Sequence, residues 1–223
     1  MIWESHPWKE QLVLDAEIIQ RWASKTRVTQ HRSALIERKV FLAAYAIRKL
    51  FESLKLSTAF RERSLPCVTY PVQSGSVTHL NAHKILERYD LDRPKKEAVP
   101  ARHLTDIIVH SLVFSEMLGE DLSIEGFLVT SDWRRSRLWK VKTKHFVKLM
   151  RDAGKDYPPV ARWACNPETG DFVLWHGEGS PPKSFEDRAH RIVNECLQAR
   201  RKNDLQAIGQ QPSTLKSGSG LRK

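Results

Sequence analysis

Apolar residues recur along the first quarter of the chain at helical intervals. Leu12, Ala16, Ile19 and Ala23 stand three or four apart behind Ser5, a residue suited to cap a helix, and Pro7, which an opening turn tolerates. A longer second helix is predicted from about Thr29 to Ser57, because VFLAAYAIRKLFESLKL keeps a broad apolar stripe without Gly or Pro. Together they form a predicted helical hairpin.

The pattern then changes. SLPCVTYPVQSG reads as extended, but Pro66 and Pro71 each remove a backbone donor, which predicts an edge strand or a loop. A short helix is expected near Asn81 to Tyr89, and DLDRPKKEAVP reads as a charged linker. Pro100 opens ARHLTDIIVHSLVFSEML, where Leu104, Ile107, Ile108, Leu112 and Met117, widened by Val109, Val113 and Phe114, predict a central buried helix ending at Gly119.

Alternating segments follow. LSIEGFLVTSD and SRLWKVKT read as paired strands joined by a polar turn, and Thr143 caps a helix running to Gly154. VARWACNPETGDFVLWHG reads as a second hairpin with Pro and Gly at its turn. Ser184 and Asp187 begin a last helix, with Phe185, Ala189, Ile192, Val193, Cys196 and Leu197 along one face. The resulting expectation is an α+β fold. It has an N-terminal helical hairpin, a central buried helix and an antiparallel sheet of about four strands with packed helices. Residues 1–203 form a predicted single domain, helical over 1–64 and mixed over 65–203. Residues 204–223 read as a flexible basic tail, too poor in apolar side chains to fold.

Charge sharpens this picture. The chain carries 37 Lys and Arg against 26 Asp and Glu, a net charge of +11, which favours an anionic partner: nucleic acid, a membrane surface or an acidic protein. The excess is concentrated. Residues 131–144, SDWRRSRLWKVKTK, and residues 200–223 each hold six cations and one anion. In the first stretch Arg134, Arg135 and Arg137 fall at a hairpin tip and on its return strand. Lys140 and Lys142 alternate there with Trp139 and Val141, and Lys144 follows. Guanidinium forks suit phosphate oxygens, and an outward Trp133 can stack on a base. These seven residues, Trp133, Arg134, Arg135, Arg137, Lys140, Lys142 and Lys144, are the expected nucleic-acid contacts, with DNA and RNA equally open. The ordinary alternative is a solubilised sheet edge.

A second candidate lies in the predicted core helix. Arg102, His103, Asp106 and His110 carry titratable groups, and spacings of three, four and seven bring His103, Asp106 and His110 toward one side. His110, inside IIVHSLVF, is expected to be buried and hydrogen-bonded. RHLTDIIVH resembles the Arg-x4-6-His signature of HEPN ribonucleases, in which a polar residue often follows the Arg and both side chains cleave RNA without metal. The resemblance implies a catalytic pair of Arg102 and His110, with His103 and Asp106 in support, on a fold that is helical throughout.

Other features exclude more than they assign. His79 and His83 have the i, i+4 spacing of a zinc pair, but Leu80 stands where H-E-x-x-H has its Glu. Glu37, Arg38, Arg48, Lys49 and Glu52 read as surface pairs on the long helix. Phosphate-loop, dinucleotide and nucleophile-elbow motifs are missing from the sequence, so no cofactor or metal is expected. Cys67, Cys165 and Cys196 are widely spaced, the first residues lack a secretory pattern, and the longest apolar run is FLAAYAI, which together point to a cytoplasmic location. The reading that follows is a cytoplasmic, non-enzymatic accessory protein gripping nucleic acid through its basic hairpin. A hydrolytic enzyme centred on Arg102 and His110 is the second reading. A protein-interaction subunit, favoured if Trp3, Trp8, Trp22 or Trp133 lies exposed in a patch, is the third.

Overall fold

The computed structural model describes residues 2–27 and 29–209, with side chains to residue 202. The fold is α+β, with seven helices, a five-stranded antiparallel sheet and a separate two-stranded sheet among the described residues. Two compact units meet in sequence between Pro159 and Val160.

The first unit begins with α1 (His6–Ala23) and α2 (Gln30–Glu52), the expected hairpin. Thr29 caps α2 by accepting a hydrogen bond from the Arg32 amide. The helix stops earlier than predicted. Leu54 takes φ 57°, the Leu54 amide bonds to Phe51 and the Lys55 amide to Leu50, a Schellman closure that leaves residues 53–57 outside the helix. A single turn, α3 (Thr58–Arg61), leads into the sheet.

The sheet contains β1 (Ser64–Pro71), β2 (Lys95–Pro100), β3 (Ser111–Leu118), β4 (Ile124–Ser131) and β5 (Arg137–Lys142), in the order β2-β1-β5-β4-β3. β1 is interior rather than an edge. Its pairing with β5 covers only Val68 to Pro71, so Pro66 lies outside that ladder and Pro71 at its last pair, where a missing donor costs little. The charged "linker" contains β2, which pairs along β1 and forms one sheet edge, a position that Lys95 and Lys96 suit. The core helix is half as long as predicted: α5 (Ala101–Val109) ends with His110 as its cap, and Ser111–Leu118 is β3. Leu112, Val113, Phe114, Met117 and Leu118, interrupted by Ser115 and Glu116, fit a helix or a strand equally, and pairing with β4 decides for the strand. The helix expected over 81–89 is one turn, α4 (Ile85–Arg88).

One face of the sheet carries the main core. Leu65, Val99, Phe127, Val129, Trp139 and Val141 pack against α5 and against α6 (Thr143–Lys155), backed by α1 and α2. The opposite face holds a smaller cluster in which Val113 and Leu138 meet Val77, Ala82 and Tyr89 of the irregular segment between β1 and β2.

The second unit is the predicted hairpin β6 (Val160–Cys165) and β7 (Phe172–Gly177) with α7 (Lys183–Gly209). Ala164, Trp175 and Ile192 are its buried apolar residues among those described. α7 continues past residue 203, into the segment predicted to be a tail; the rest of that segment lies outside the described residues.

Candidate functional site

The two candidate groups of the sequence converge on one cleft. It is lined by Arg48 of α2, His103, Asp106 and Ile107 of α5, His110 at the α5 cap, Ser131 at the end of β4, and Trp133 and Arg134 of the β4–β5 turn. Its volume is about 270 Å³, just below the roughly 300–1,000 Å³ of complete small-molecule sites.

Local sequence explains how these residues are presented. His103, Asp106 and His110 recur at helical spacing and so share a side of α5. The turn is anchored to that helix because the Asp132 amide donates to the His110 carbonyl at 3.1 Å. Within the turn, the Arg134 amide bonds to Ser131 and the Thr130 hydroxyl donates to the Arg134 carbonyl at 3.0 Å. Trp133 is thereby held outward, 81% exposed, with its ring centroid 6.1 Å from that of His110.

His110 is exposed rather than buried as predicted, because α5 ends just before it. Its Nε2 lies 2.7 Å from Arg48 Nη1. A guanidinium cannot accept a hydrogen bond, so Nε2 must be the acceptor and the ring proton sits on Nδ1. Arg48 Nε is also 2.9 Å from Glu52 and 3.3 Å from Asp106, so its charge is balanced by two carboxylates. His103 is half-buried, its ring 6.4 Å from that of Trp139. Burial, and then the nearby Arg134 charge, hold its pKa below the usual imidazole value, against the smaller opposing pull of Asp106 and Glu97. Arg134 itself is exposed and has no ion pair among the described residues.

The remaining residues of the basic stretch go elsewhere. Arg135 turns inward: its guanidinium donates to the Asp132 carbonyl at 2.9 Å, to the Val77 carbonyl at 3.1 Å, and to the Asp132 carboxylate. Arg137 pairs with Glu97 at 3.4 Å. Lys140 and Lys142 project from the other face of β5 than Trp139 and Val141, as the alternation predicts, and line a groove of about 540 Å³ with Lys96 and His145. Lys144 lines a second cavity, with Gln20 and Arg151, that Lys142 also borders. The six cations therefore do not form one cluster: Arg134 faces the cleft, Arg135 is used inside the turn, and the others lie along β5 and the start of α6.

Arg102 is exposed and does not line the cleft, and the five-stranded sheet departs from the all-helical fold that the HEPN resemblance implies. Sequence reasoning missed Arg48, which was assigned to a surface pair. It does pair with Glu52, but it also crosses to α5, reaching a residue 62 positions away in the chain that no local pattern signals. His79 and His83 are exposed in a turn, not on a helix, and His79 sits 3.8 Å from Asp132. Among the described residues no cluster of three or more His, Cys, Asp or Glu is placed to hold a metal, and no helix is long and apolar enough to cross a membrane. The three cysteines are free, and burial pushes the Cys67 thiol up to about 12. Comparisons with protein-family models, with curated proteins and with solved structures return no match.

Proposed function

We propose that this protein binds single-stranded nucleic acid, and that the cleft beside the β4–β5 turn is its grip. The observation that carries the reading is an exposed Trp133 beside Arg134, which has no ion pair among the described residues, in a turn whose Asp132 amide is bonded to the end of α5. A base stacks on the indole, the Arg134 fork takes the adjoining phosphate, and the two imidazoles line the space between. The cleft volume suits one nucleotide unit of a longer strand. Lys140, Lys142 and Lys144 then act at a distance through the field of the net +11 chain rather than as members of one cluster. The three free cysteines suit a reducing compartment such as the cytoplasm.

The test is titration of labelled single-stranded oligonucleotides of about twelve nucleotides with Trp133→Ala and Arg134→Glu. Arg134→Glu is the informative charge reversal, because Arg135→Glu would break the turn itself. Weakened binding with an unaltered thermal transition is expected. Unaltered affinity in both variants at low salt would end the reading.

Cleavage of the bound strand is a second reading, favoured by the meeting of His103, Asp106 and His110 at the same cleft. In that case a neutral His103 serves as the base and Arg134 as the anion stabiliser, with no part for Arg102. Loss of RNA cleavage in His103→Ala, with single-stranded binding retained, is the expected signature.

A further inference from the structure

A second surface is independent of the cleft. α1 and α2 run antiparallel, since Trp8 lies against Tyr45 while Asp15 lies against Lys39, and the groove between them has a volume of about 590 Å³. Its walls are Pro7, Trp8, Leu12, Leu42, Tyr45 and Ala46. Three of these remain substantially open: Trp8 at 37%, Leu42 at 55% and Tyr45 at 43% exposure. Aromatic and aliphatic side chains left open side by side on a helix pair are of the kind that anchor a protein interface.

The polar atoms of the groove are asymmetric. At one end the Asp15 carboxylate is neutralised, bonded to Lys39 Nζ at 2.5 Å and to Gln11 Nε2 at 2.9 Å. Arg38, beside it on the rim, has no ion pair among the described residues. Toward the other end Lys49 lies 5.7 Å from the Tyr45 ring centroid, but its charge is answered by Glu52 at 2.7 Å. The groove thus offers an apolar floor and, among the described residues, one uncompensated cation.

We infer that this groove receives an amphipathic helix of a partner protein, with apolar residues at i, i+3 or i+4, and i+7 against Trp8, Leu42 and Tyr45, and a carboxylate meeting Arg38. A third helix completes ridge-into-groove packing on an antiparallel pair, and the seven-residue span from Arg38 to Tyr45 corresponds to about 10 Å, or two turns of the incoming helix. Trp, Tyr and Arg are also the side chains that dominate interface energetics. A nucleic acid is disfavoured here, because a largely apolar floor with one free cation offers little to a phosphate backbone. A second copy is disfavoured too: two concave grooves do not interdigitate, and their Arg38 residues would carry like charges.

The experiment is selection of a displayed library of random peptides, about 16 residues long to allow four helical turns, on the full chain, with counter-selection on the bare support only. Leu42 is more than half exposed, so that variant should retain the wild-type thermal transition; Arg38→Glu supplies a second, surface-only variant. Enriched sequences should show the helical apolar spacing with an acidic flank. A synthetic peptide from the selection should lose about tenfold or more in affinity for Leu42→Glu and for Trp8→Ala. Replacing its carboxylate by Lys should weaken binding to the wild type and restore it on Arg38→Glu. Absence of enrichment, equal binding to Leu42→Glu, or indifference to the charge swap overturns the inference. So does a concentration-dependent dimer in sedimentation that Leu42→Glu abolishes. Oligonucleotide affinity should not change in Leu42→Glu, which separates this surface from the cleft.

Discussion

Two sites draw on the same basic stretch, residues 131–144, and they differ in kind. The cleft at Trp133 and Arg134 has one free cation among the described residues, but it adds an exposed aromatic ring and two imidazoles, His103 in the first turn of α5 and His110 at its C-terminal cap. The groove at Lys140 and Lys142 holds a third lysine, Lys96, against one carboxylate, Glu97, over a floor of Pro66, Val68 and Ala98 that provides no large aromatic ring for stacking. Local charge density therefore does not rank the two. Point charges on flexible stems attract any polyanion, whereas a planar fork beside an indole on a fixed backbone distinguishes an unpaired base and its phosphate from bulk charge.

The contrast is sharpest between Arg134 and Arg135, and breaking it gives the largest expected effect. Arg135→Ala removes donors from the Val77 and Asp132 carbonyls and should destabilise the first unit by about 1.5–3 kcal/mol, read as a lowered denaturant midpoint. Arg134→Ala should leave that midpoint within about 0.5 kcal/mol of wild type. Equal losses would mean the two arginines share a structural role.

Next in size is the aromatic contribution. Trp133→Ala should weaken single-stranded binding by about 1–2 kcal/mol, roughly tenfold, while Trp133→Phe keeps most of it. A smaller effect is expected from the lysine groove: Lys140→Gln with Lys142→Gln should change affinity little at moderate salt. For every phosphate that a variant no longer neutralises, the slope of log affinity against log salt should flatten by about 0.7. If the lysine pair outweighs Trp133, the order of the two sites is reversed.

The smallest effect concerns pH. Because the folded His103 pKa lies below the free imidazole value, the unfolded chain binds this proton first as pH falls. Stability is thus full above the usual imidazole range and declines as pH drops from there toward the lowered folded value. An anion in the cleft reverses this preference, so oligonucleotide affinity should rise over the same window, and His103→Gln should remove both trends.

The sequence made some of this legible and hid the rest for identifiable reasons. Leu12, Ala16 and Ile19 announced α1, and the alternation of Lys140 and Lys142 with Trp139 and Val141 announced β5, because those periods are local. SLVFSEML reads as a continuation of the preceding helix because its apolar residues, broken by Ser115 and Glu116, keep neither a clean helical nor a clean strand period, and β4, which settles it, pairs from beyond the turn. β1 was misjudged as an edge because the cost of a proline depends on where the neighbouring ladder stops. Of the site, His103, Asp106 and His110 shared a helical side on spacing alone. Their meeting with Arg134 and Arg48 did not follow from spacing.

What the chain determined by itself is the kind of each local element, the concentration of positive charge in two stretches and the side chains able to hold phosphate. Only the tertiary structure decided which of those cations stay available. Arg135 finds a carbonyl 58 residues away, Arg137 finds Glu97 across the sheet, and Arg134 finds no counter-ion among the described residues. A guanidinium's availability depends on the acceptors within a few ångströms of it, and folding brings those from distant parts of the sequence.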